Sequence, residues 1–76
     1  MSKYTDDDLG NLIALCDQEE NPSPQAIILK RRCERALAYV DCYLRITRKD
    51  KELLQDLYDP DMAPEAKATL NKCMKM

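Results

Sequence analysis

The stretch Ala36-Leu37-Ala38-Tyr39-Val40-Asp41-Cys42-Tyr43-Leu44-Arg45-Ile46 decides the fold. It is apolar on more than one face. From Pro24 to about Lys49 there is no glycine and no further proline. The run therefore predicts one long central helix over 24–49. Two stripes follow from helical spacing. Leu29, Cys33, Ala36, Leu37, Val40 and Leu44 make the first. Ile28, Tyr39, Cys42 and Ile46 make the second, with Tyr43 on the border. A helix with two apolar faces needs neighbours on two sides.

On its N-terminal side, Asn21-Pro22-Ser23-Pro24 is the clear turn. Ser23 suits the N-cap and Pro24 the first helical position. Upstream, Thr5 with Asp8 three residues later reads as a capping box, and Asp6, Asp7 and Asp8 suit a helix N-terminus. Leu9, Leu12, Ile13 and Cys16 then form one stripe of a first helix that ends near Gln18 or Glu19. The short connection predicts an antiparallel hairpin of helices 1 and 2.

On its C-terminal side, Arg45, Arg48 and Lys49 suit a helix C-terminus, and Asp41 can pair with Arg45 one turn on. Leu53, Leu54, Leu57 and Tyr58 predict a short third helix, or a bent continuation of the second, stopped by Asp59-Pro60. Asp61 is the expected cap of a fourth helix, with Pro64 in its first turn and Met62, Ala66, Leu70 and Cys73 as its stripe. No alternating β pattern exists. The expected fold is all-α: a compact bundle of three or four helices around 24–49, in one domain over 1–76.

Seventy-six residues make a marginal core. The chain has no His, Phe or Trp. Without His, the usual base near neutral pH is missing, and no Ser or Cys has one to activate it. Gly10 is the only glycine, so no glycine-rich phosphate loop exists. Gly10 inside helix 1 is either tolerated or marks a close backbone approach. The expectation is a non-catalytic protein without a cofactor. Cys16, Cys33, Cys42 and Cys73 contain no CxxC pair, and mixed Cys/His zinc sites are ruled out. The expected state is buried free thiols and no metal. A Cys16–Cys33 disulfide and a four-thiolate site are the alternatives.

Charge is segregated. Residues 1–22 carry six acids and one base, residues 23–51 eight bases and three acids, residues 52–76 five acids and three bases. The basic run Lys30-Arg31-Arg32-x-x-Arg35 is the sharpest functional signal. Arg31 and Arg35 are like charges one turn apart, which costs a little in an isolated helix. Either Asp17, Glu19 and Glu20 of helix 1 answer the run internally, or an acidic partner does. No apolar run spans a bilayer, and Met1-Ser2-Lys3-Tyr4-Thr5-Asp6 has no signal-peptide core. The expected location is the cytoplasm, with no membrane.

The expected function is binding to a protein: either a larger one, as inhibitor or adaptor, or a second copy. The candidate partner-binding residues are Lys30, Arg31, Arg35, Tyr39, Cys42 and Ile46. Size, helicity and the missing catalytic residues are similar to those of small inhibitors encoded by phages or mobile elements. The runner-up is a helical DNA-binding regulator using the basic face of the central helix, and a third class is a structural subunit completed by assembly. The pI of about 5.0 weighs against nucleic acid.

Overall fold

Thr5, Ser23 and Thr47 each cap a helix with their side-chain oxygen. These three caps set the frame of the chain. The computed structural model describes residues 2–39 and 43–75. Over these it has helices α1 (Asp6–Asp17), α2 (Pro24–Ala38), α3 (Arg48–Leu57) and α4 (Pro64–Met74). Two-residue strands β1 (Ser2–Lys3) and β2 (Tyr43–Leu44) pair antiparallel, Ser2 with Leu44 and Lys3 with Tyr43. The class is all-α, and the β pair is a clip that ties the start of the chain to its middle.

The first two helices begin where local chemistry places them. Thr5 and Asp8 form a full capping box. Ser23 accepts from the Ala26 amide, and Pro24 follows it. The α1–α2 pairing is the most extensive in the molecule. The Asp17–Lys30 pair sets the end of α1 against the first half of α2.

The long helix is shorter than the apolar run suggests. It stops at Ala38, not near Lys49, and Tyr39 is its C-cap in extended geometry, φ −104° and ψ 150°. Two things end it. Aromatic and β-branched residues from Tyr39 to Ile46 favour extended backbone, and Tyr43–Leu44 pairs with β1. Thr47-Arg48-Lys49-Asp50 is then a second capping box, which starts α3 afresh. Residues 50–58 thus belong to a separate helix and its cap. Arg48 and Lys49 sit in its first turn, not at the end of α2. Val40, Asp41 and Cys42 lie outside the described residues, and with them the Asp41–Arg45 pair.

The fourth helix is capped by Ala63, without a side-chain bond, and opens on Pro64. Asp61 is not its cap. The Asp61 amide bonds Asp59 Oδ1 at 2.9 Å, inside a turn closed by the Met62 amide on the Asp59 carbonyl at 3.0 Å. Proline at the first position removes one orphan N–H, so a missing cap matters less there.

The core draws on every helix. Leu9 and Leu12 of α1, Leu29 of α2, Leu54 of α3 and Leu70 of α4 are fully enclosed. Each contributes roughly 2 kcal/mol by burial. Tyr4 and Leu44, beside the β clip, are buried with them. Cys16, Cys33 and Cys73 are free and buried, as packing residues. Gly10 is exposed, and among the described residues an added Cβ would meet nothing within 4 Å, so none of their backbone crowds that position.

Candidate functional site

The basic run divides three ways around α2. Lys30 turns toward α1 and pairs with Asp17 at 2.5 Å. Arg32 turns toward α3 and meets Asp50, Nη1 to Oδ2, at 2.6 Å. Its Nη2 donates to the Arg45 carbonyl. Arg31 and Arg35 are exposed and make no ion pair or hydrogen bond among the described residues.

Asp50 is the hub of the interior. It has no solvent exposure. It accepts from Gln25 Nε2 at 2.6 Å, from Arg32, and from the Thr47 amide at 2.9 Å. Burial pushes its pKa up, but the Thr47 and Arg32 hydrogen bonds outweigh burial and hold the carboxyl below 3.8. Arg32 is therefore a structural cation. A smaller network joins α1 to α4: Lys72 Nζ reaches Asp8 Oδ2 at 2.8 Å, and the buried Thr69 hydroxyl lies 3.0 Å from Asp8 Oδ1. Lys72 also sits 5.1 Å from the centre of the Tyr4 ring.

With those groups engaged, the outer face of α2 stands out. Ile27, Arg31 and Arg35 lie at i, i+4 and i+8, a single ridge of the helix. Ile28 stands beside it. Ile27 is 41% exposed and Ile28 49%. The buried row of α2 is Ala26, Leu29, Cys33 and Ala36, on the other side. Leu37, expected in that row, is exposed, and so is Tyr39, at 62%, where α2 ends.

The expected site residues are thus only partly brought together. Arg31 and Arg35 share the ridge, and Tyr39 is exposed at the end of the same helix. Lys30 is tied to α1. Ile46 is on no helix and packs, partly buried, against the core, because β2 and the Thr47 cap redirect the chain around it. Cys42 lies outside the described residues. Ile27 was not anticipated, although it stands one turn before Arg31 in the sequence.

Another charged face lies on α3. Glu52 and Asp56 are exposed, one turn apart, and without an ion pair among the described residues. They line a cleft of about 320 Å³ between the start of α2 and α3, with Ser23, Gln25, Lys49 and Leu53. Among the described residues no group of three or more His, Cys, Asp or Glu side chains could hold a metal. Nor is any helix long and apolar enough to cross a membrane.

The chain matches no protein-family model, no curated protein and no solved structure.

Proposed function

We propose that this chain is a non-catalytic protein-binding module. It lays the outer face of α2 on a surface of a larger protein, as inhibitor or adaptor. The observation that carries this reading is the ridge Ile27–Arg31–Arg35 with Ile28 beside it: two half-exposed isoleucines next to two arginines that have no ion-pair partner among the described residues. A helix that presents apolar and charged side chains in one row suits a groove with an apolar floor and acidic walls. Burial supports the non-catalytic half of the reading. It pushes the Cys16 thiol up to about 11 and the Cys33 thiol up to about 12, far from a working nucleophile.

A photo-crosslinking residue at Ile28, in cells that make the protein, tests the reading. The expected adduct is a second protein of larger mass, lost when Arg31 and Arg35 are changed to Glu, with the melting temperature unchanged. The rival, a DNA-binding regulator, requires sub-micromolar DNA affinity whose logarithm falls steeply with the logarithm of salt. That result, or the absence of any protein adduct, would overturn the proposal.

A further inference from the structure

We infer that, when no larger partner holds it, the outer face of α2 is covered by a second copy of the chain. The Arg31/Arg35 pair of each protomer lies on the Glu52/Asp56 pair of the other. The inference rests on the reading that this face is an interface, and it names the occupant.

The charge pattern points to it first. Arg31/Arg35 and Glu52/Asp56 are both like-charge pairs spaced i, i+4 on exposed helix faces. Each pair repels itself in an isolated helix. Neither finds an ion-pair partner among the described residues. They are opposite in sign and equal in rise, about 6 Å along the axis at 1.5 Å per residue. Each is the natural complement of the other, yet within one chain they do not meet.

The topology supplies the symmetry. Asp50, near the start of α3, is reached by both Gln25 and Arg32. Asp56, near its end, lines a cleft with Ser23 and Gln25 at the start of α2. The Glu52/Asp56 side of α3 therefore lies beside the start of α2. The carboxylate pair lies toward the start of α2 and the arginine pair toward its end. A two-fold axis between them exchanges the pairs, so both salt-bridged contacts form at once, as an isologous interface requires. Ile27 and Ile28 fall between the charged pairs along α2, where they form an apolar centre with a charged rim. The cleft floored by Leu53 lies opposite to receive them.

Sedimentation velocity across a concentration series tests this directly. The wild-type chain should approach twice its 8.8 kDa mass at high concentration and low salt. The dimer should weaken as salt rises from ~50 to ~500 mM and screening deepens. Arg31→Glu/Arg35→Glu should weaken it by about 100-fold or more, because attractive contacts become repulsive. Glu52→Arg/Asp56→Arg should do the same. An equimolar mixture of the two variants should recover a dimer, since each reversed α2 then meets a reversed α3. Circular dichroism melts establish that both variants fold. A wild type that stays monomeric at every concentration overturns the inference. So does a dimer unmoved by either reversal, or a mixture that stays monomeric. The cross-linking experiment separates the two claims. A monomer whose Ile28 still captures a larger protein removes the dimer and keeps the module. A dimer whose Ile28 captures only a second copy keeps the dimer and removes the module.

Discussion

Changing Arg32 to Met, with Asp50 left in place, should be far more damaging than the same change at Arg31, one residue away. Methionine keeps the apolar stem and removes the guanidinium. At Arg31 that group makes no ion pair or hydrogen bond among the described residues, so the cost should stay within about 0.5 kcal/mol. At Arg32 it leaves a fully buried carboxylate with only the Gln25 amide and the Thr47 amide as donors. Breaking a buried pair costs about 3–5 kcal/mol. The Arg32 side chain is 30% exposed, so water can reach part of the vacated space. The expected loss is therefore about 2–3 kcal/mol, at or just below the bottom of that range. Against the ~4–11 kcal/mol usual for a chain of this length, that is a large fraction.

The assay is a double-mutant cycle by urea denaturation. Asp50→Ala should also destabilise, since it deletes a capping-box member and the acceptor for two side chains. In Arg32→Met/Asp50→Ala no charge is left without its partner. The double variant should therefore be more stable than the sum of the single losses implies, by about 1–3 kcal/mol. Additivity within about 0.5 kcal/mol would show that the two side chains do not act as a unit, and the hub described above would be wrong.

Three further outcomes follow from the same contacts. Asp50 and Asp8 both titrate below 3.8 in the folded chain: burial raises each, but hydrogen bonds, led by the Thr47 amide at Asp50 and by Lys72 at Asp8, outweigh it. As pH falls the unfolded chain binds those protons first, so stability is full above 3.8 and drains away as pH drops through the depressed values. Urea midpoints should show that acid limb, shallower in Asp50→Asn, and a flat profile down to ~pH 2 would contradict it. Gly10→Ala should gain about 0.5–1 kcal/mol in a thermal melt, since alanine is the better helix former and the site is open. A loss there would reveal a contact at Gly10. Finally, alkylation of the native protein, mapped by mass spectrometry, should spare Cys16, Cys33 and Cys73, and reductant should leave the melting temperature unchanged. Fast native labelling of Cys33 would count against its buried, protonated state.

What could be read from the sequence was local. Thr5 with Asp8, and Ser23 with Pro24, announce helix starts through bonds that span three residues. The end of α2 is hard to read because one of its two causes is not local. Tyr43 and Leu44 are extended so as to pair with Ser2 and Lys3, some forty residues earlier in the chain. No periodicity within 36–46 carries that information. Thr47-x-x-Asp50 has the same form as Thr5-x-x-Asp8 and was legible in principle. It was masked because an unbroken apolar run reads as continuing helix. Asp50 then serves twice, as capping-box member and as acceptor for α2, and the second role exists only once α3 has folded back.

The basic run shows the same limit at the level of single residues. Successive positions on a helix turn by about 100°. Lys30 and Arg32 therefore flank Arg31 on opposite sides. The central helix has neighbours on two sides, although its second apolar stripe is not what they cover, and each neighbour brings one acid: Asp17 from α1 and Asp50 from α3. The flanking cations are engaged by those acids, whereas Arg31 at the apex pairs with neither. Arg35, one turn on, keeps nearly the same direction and is left with it. Four cations that look equivalent in the sequence thus separate into two that hold the fold and two that face outward. Which two was undetermined until the packing angle of α3 was known. The surface proposed for binding is the part of the basic run that the fold does not use.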